Sequence, residues 1–400
     1  MCPCNIALGE IVPDALESRV NPAKRVMAAS VLFGLAAAAG VVSAQSAPAM
    51  TAVMTAAEKS GFSGVVIVGD RTKTLFERAS GLADRSKQTA HAVDQPWRLG
   101  AISKQITSII AAQLVAEGKL DLDKAIAHYL NVREFGGANA RQVTIHQLLQ
   151  HTSGLPEPGN TEAEAGAKAD DDAVPDFYLA DVMPEAIHKT PTSGTCAGVP
   201  KRAPGDQFEY NNCDYLVLAA GIEKITGHPF ATALAERIAK PLSLAKGGLR
   251  LASIKDKYAQ PVKGYQDARR REATFNLAAY GAAGAVLGTP RELLAIDQAL
   301  LGDALMSAES KKECWRSDPK FDYAAFGVWS YPASLTGCKE PVNLVEQRGA
   351  IGGVQVRNFL APGLGKAVIV LTNRGDWAFG EVAKGGGFSA ELLTAALCAN

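Results

Sequence analysis

Leu99-Gly100-Ala101-Ile102-Ser103-Lys104-Gln105, running on to Gly118, is the stretch on which the fold turns. Ile102, Ile106, Ile109, Ile110 and Leu114 recur at three- and four-residue steps and lay one apolar stripe along a helix that Gly118 ends. Upstream, Gly64–Val68 is a short apolar run, Asp70–Lys73 is polar, and Thr74–Phe76 resumes the extended pattern, which predicts a hairpin over 63–82. Downstream the signal is helical and loopy to about residue 300, with helices expected at 144–151, 214–227, 229–240 and 291–301. Strands return at 326–331, 342–347, 354–360 and 367–372, ahead of a last helix over 388–397. Strands at both ends and helices between predict an α/β fold of the α+β type. An antiparallel sheet is built from both chain ends and flanked by helices, with a mainly helical subdomain inserted. The expected sheet subdomain covers about 50–120 and 305–400, and the helical one about 121–304. Within the latter, the segment 156–206, rich in Pro, Gly, Asp and Ala, reads as a lid. A crevice where the two subdomains meet is the expected ligand site.

Three more segments fall around that crevice: His151-Thr152-Ser153-Gly154-Leu155-Pro156, Phe208-Glu209-Tyr210-Asn211-Asn212, and Gln347-Arg348-Gly349-Ala350-Ile351-Gly352-Gly353. With the 99–105 stretch, and in this order, they resemble the serine β-lactamase and penicillin-binding-protein superfamily. The resemblance is greatest to its class C, D,D-peptidase and esterase branch and extends from about residue 55 to the C-terminus. It implies a transpeptidase-like fold and a site for amide or ester substrates of the D-amino-acid peptide or β-lactam type.

In that family the first motif is Ser-x-x-Lys, with the serine acylated and the lysine on the same helix face. Aligned on Lys104, the serine position holds Ala101, whose methyl group cannot form an acyl-enzyme. Ser103 neighbours Lys104, but adjacent residues on a helix point about 100° apart, so it is not expected to stand in. The second motif is intact. The resemblance implies that Tyr210 is the acid–base partner of Lys104 and that Asn212 orients the lysine and a substrate amide. Lys104 is accordingly expected within hydrogen-bond reach of both. In the third motif the family's Lys or His is replaced by Gln347, a neutral amide expected to contact a substrate carboxylate without lending it charge. Arg348 alternates to the opposite strand face. Gly349 and Ala350 complete the substrate wall, and the backbone N–H groups of Ala101 and Ala350 survive as an oxyanion hole because that pair needs no particular side chain. The resulting expectation is a secreted ligand-binding or regulatory pseudoenzyme. The alternatives are an active serine hydrolase carrying a Ser-to-Ala change at 101, or residual hydrolysis by water activated through Lys104 and Tyr210.

Composition bounds the rest. Forty-one basic residues balance 41 acidic ones and 47% of the chain is hydrophobic, so no global field draws in nucleic acid and a sizeable core is available. The partner expected is a small molecule or peptide. No dinucleotide loop and no metal-ligand spacing is present in the sequence, so neither a cofactor nor a metal is expected. Lys24-Arg25, the uncharged stretch from Val26, and Val42-Ser43-Ala44 before Gln45 read as a secretory signal. The expected division is therefore a leader over 1–44 and one unit over 45–400, exported, to a periplasm in the simplest case, with no lasting membrane anchor once the leader is cleaved. In an oxidising compartment the economical cysteine pairings are Cys196–Cys213 and Cys314–Cys338, each closing a modest loop and leaving Cys398 over.

Overall fold

The structure, a computed structural model, describes residues 46–131, 133–135, 140–156, 196–245, 247–257, 261–272 and 274–398. The leader and most of the lid-like segment lie outside the described residues. Helix α1 (Ser46–Lys59) leads into the hairpin β1 (Gly64–Asp70) and β2 (Thr74–Ser80), and helix α2 (Ile102–Ala116) follows. Helices α3 (Ile145–Leu149), α4 (Asn212–Thr226) and α5 (Pro290–Leu301) come from the middle of the chain. Strands β3 (Trp329–Ala333), β4 (Val342–Ile351), β5 (Val354–Ala361) and β6 (Lys366–Thr372) precede helix α6 (Phe388–Leu393).

The six strands form one sheet in the order β2-β1-β6-β5-β4-β3, antiparallel throughout. The two ends of the chain meet at its centre, where Val65 faces Leu371 and Ile67 faces Ile369. Alternation along β1 explains why its apolar run is unbroken. Val65 and Ile67 pack into the core shared with α2 and α5, whereas Val66 and Val68 pack into the core shared with α1 and α6. Both faces are covered, so neither can be polar. Among the described residues no helix is long and apolar enough to cross a membrane.

The sheet also decides the cysteines. Cys196–Cys213 is bonded as expected, but the second bridge is Cys338–Cys398, and Cys314 is free and buried. The expected Cys314–Cys338 pairing, reasoned from loop length, is corrected by packing. Cys314 ends a short helix in the core on the α2 face, while Cys338 and Cys398 lie with the core on the α6 face. Burial pushes the Cys314 thiol up to about 12. Digestion without reduction is expected to yield one linked peptide pair holding Cys338 and Cys398, and Cys314 is expected to alkylate only after denaturation. A Cys314–Cys338 peptide would refute this arrangement.

Candidate active site

Helix α2 begins against the sheet because two glycines let the backbones touch. Gly100 has φ +55°, in the left-handed region, and a Cβ there would sit 3.2 Å from the Ala350 nitrogen. A Cβ on Gly349 would lie 2.4 Å from the Leu99 carbonyl oxygen and 3.3 Å from the Ala101 nitrogen. Side chains at either position would push strand β4 off the helix start. The backbone around Ala101 and that around Ala350 are therefore neighbours across 249 residues of sequence, the difference between positions 350 and 101.

Lys104 lies one turn into α2 and is 1% exposed. A buried lysine needs acceptors, and two are present: Nζ donates to Asn212 Oδ1 at 2.7 Å and to the Ala283 carbonyl at 2.9 Å. It also sits 4.5 Å from the centroid of the Tyr210 ring, within cation–π range. Lys104 is thus hydrogen-bonded to Asn212 as expected, and its contact with Tyr210 is to the ring face. Ala101, at the N-cap of α2, is partly exposed beside them.

Ser103 is not a substitute nucleophile. It is fully buried, its hydroxyl donates to the Gly100 carbonyl at 2.7 Å, and its oxygen accepts the Val286 N–H at 3.0 Å. That hydroxyl staples the helix start to the strand segment Val286–Gly288.

The third motif departs from expectation. Gln347 is 2% exposed. Its Nε2 donates to the Gly327 carbonyl, and its Oε1 accepts the Arg348 N–H at 2.7 Å. Both ends of the amide are engaged by backbone, so the expectation that it contacts a ligand carboxylate is corrected: the side chain closes a gap between β4 and the Gly327 turn. Arg348 lies on the other strand face, as alternation requires, and is held by Glu346 (2.7 Å and 3.0 Å) and by Glu381 (3.4 Å).

Sequence reasoning missed what supports the Tyr210 segment. His151 Nδ1 donates to Asp214 Oδ2 at 2.8 Å, and the Ser153 hydroxyl donates to Asp214 Oδ1. The His151 carbonyl accepts the Glu209 N–H at 2.9 Å. Asn211 caps α4 by accepting the Cys213 N–H at 2.7 Å, and its amide donates to the Leu155 carbonyl at 2.6 Å. The Cys196–Cys213 bridge pins the residue next to Asn212. Burial, and then the nearby Lys104 charge, hold His151 well below its usual range, so it is neutral and its hydrogen bond to Asp214 is not an ion pair. The signal was present in the His151–Pro156 motif, but its partner 63 residues on was not singled out. Asp214→Ala would strand two buried donors, and we expect a loss of about 3 kcal/mol in denaturant-melting stability. A loss under about 1 kcal/mol would mean that water replaces the carboxylate.

Among the described residues no cluster of three or more His, Cys, Asp or Glu is placed to hold a metal ion. An antiparallel sheet covered on both faces, with a Lys-Tyr-Asn cluster at a helix start beside the glycine-bearing strand β4, is the candidate site. The Beta-lactamase family model matches residues 49–387, and the chain belongs to that family. Esterase EstB of Burkholderia gladioli is 30% identical over 203 residues, 49% of this chain and 49% of that protein. The putative penicillin-binding protein PbpX of Bacillus subtilis (strain 168) is 25% identical over 279 residues, 69% of this chain and 64% of its own length. The matched part thus spans about half to two thirds of these curated relatives. A D-stereospecific amidohydrolase from Streptomyces sp. superposes with TM-score 0.64 at 24% identity, covering 88% of this chain and 99% of that one. The D-amino acid amidase of Ochrobactrum anthropi SV3 gives 0.68 at 19%, covering 88% and 98%; both likenesses are of fold.

Proposed function

We propose that this chain is an exported ligand-binding member of the family that holds an amide or ester group without acyl transfer. The observation that carries this reading is the Ala101 methyl at the nucleophile position, together with the Ser103 hydroxyl committed to Gly100 and Val286. Covalent catalysis needs an atom that can be acylated, and neither residue supplies one. The rest of the acyl site supports retained binding. Lys104 and Asn212 stay in contact in a buried setting, and the backbone N–H groups of Ala101 and Ala350 are the donors for a bound carbonyl oxygen. In this role Asn212 and Tyr210 orient the ligand and Lys104 sets the local potential.

Intact-mass spectrometry after exposure to a fluorophosphonate, a penicillin and a cephalosporin is expected to show no adduct, while ligand-observed NMR shows saturable binding of an ester or amide. An adduct on the natural chain would replace this reading with that of an active hydrolase using another nucleophile. N-terminal sequencing of exported material is expected to start at Gln45.

A further inference from the structure

The wall of the site nearest Ala350 carries two groups that could have greeted an anion, and the fold has used both. Gln347 is sealed between β4 and the Gly327 turn, with its amide nitrogen and oxygen each bonded to backbone. Arg348, on the strand face that also carries Trp329, has its guanidinium against Glu346, itself 1% exposed and shared with Arg357 at 3.2 Å, within 3.4 Å of Glu381 and 5.7 Å from the Trp329 ring centroid. A carboxylate brought here would lose water and meet an arginine already paired within a balanced cluster of Arg348, Arg357, Glu346 and Glu381. Lys104 is no substitute, since it is buried and donating to Asn212 and Ala283.

What the site does expose is aromatic. Tyr210 is 36% exposed, and its ring lies parallel to that of Trp329, at 10° and 6.2 Å between centroids. Phe208 stands edge-on to Trp329 at 6.3 Å. Phe208 and Trp329 are both partly exposed. Partly exposed ring surfaces gain by covering an apolar or aromatic group.

We propose that the ligand is an uncharged ester or amide bearing an aromatic or apolar group that covers the Tyr210–Trp329 shelf, and that the site discriminates against ligands with a free carboxylate. This rests on the ligand-site reading above and narrows it. The specificity determinants are Gln347, by being withdrawn from the pocket, and Trp329, by supplying the shelf.

The test uses the natural chain, in which Ala101 leaves the probes intact, and two probes that differ by one charge: N-phenylacetylglycyl-D-lactate and its methyl ester. Dissociation constants from calorimetry or ligand-observed NMR are expected to favour the methyl ester at least tenfold. Trp329→Ala is expected to weaken methyl-ester binding about tenfold, and Gln347→Lys to narrow or reverse the preference for the neutral probe. Equal or tighter binding of the free acid overturns the proposal while leaving the ligand-site reading standing, and unchanged affinity in Trp329→Ala removes the shelf from it. Failure of both probes to bind ends the ligand-site reading, and this inference with it.

Discussion

Ala101→Ser is expected to convert a chain that forms no adduct into one labelled stoichiometrically by a fluorophosphonate and by an activated phenylacetyl ester. The serine would start from the N-cap of α2, one turn before a Lys104 already held by Asn212 and Ala283. It would also sit beside the Ala101 and Ala350 backbone nitrogens that the glycines at 100 and 349 allow to approach. The substitution supplies the oxygen atom that the Ala101 methyl lacks. In preorganised serine hydrolases the nucleophile accounts for a factor of roughly 10⁶ in turnover. Even a site whose third motif carries Gln347 in place of Lys or His should therefore recover roughly 10³-fold over the natural chain. Intact mass reads the outcome directly. If the variant folds, binds the ester and still takes no label, Lys104 is not acting as the serine's proton acceptor and the acyl-site reading fails at that residue.

The second large effect concerns a carboxyl that the function does not use. Asp297 on α5 is fully buried beneath α2 and the sheet, where its Oδ1 accepts the Asn358 amide at 2.9 Å. That same amide reaches Gln105 Oε1 at 3.1 Å, the residue after Lys104. Burial pushes the Asp297 carboxyl up to about 8 against an ordinary 3.8, with the Asn358 hydrogen bond pulling weakly the other way. The folded chain holds this proton to about pH 8, whereas the unfolded chain releases it near pH 4. Between those values the folded state binds the extra proton, so Asp297 lowers stability as pH rises, by about 1.4 kcal/mol per unit.

Asp297→Asn keeps the acceptor for Asn358 and places an amide donor where the protonated oxygen was. Its stability, measured against that of the natural chain, is expected to gain at this slope from about pH 4 to about pH 8. Comparing the two chains cancels the opposite contribution of His91, which burial holds at about 4, below its ordinary 6.5. That histidine removes stability as pH falls from 6.5 towards 4 in both chains alike. Denaturant melts at pH 5, 6, 7 and 8 read the difference, and parallel profiles would show that Asp297 is ionised in the fold.

Residue order alone carried the antiparallel sheet from both chain ends and the alanine that stands three residues before Lys104. Periodicity reports which face of a strand or helix is buried, and that is local. A methyl at position 101 is chemically inert in any fold. Lys104, Tyr210 and Asn212 were likewise legible, because the spacing of each motif is itself local and only their meeting needed the fold.

Partner choice across the chain was not legible. Cys338 pairs with Cys398 across 60 residues rather than with nearby Cys314, because the sheet stands between the two cores that hold them. Gln347 reads as a polar group available to a ligand, yet the fold brings the Gly327 carbonyl within reach of its amide, which donates to it. Asp214 reads as an ordinary helix-start carboxylate until His151 and Ser153 are folded onto it. In each case the deciding quantity is which surfaces are brought together and whether water is left between them. Those contacts are set by long-range packing, and no sequence window contains both sides.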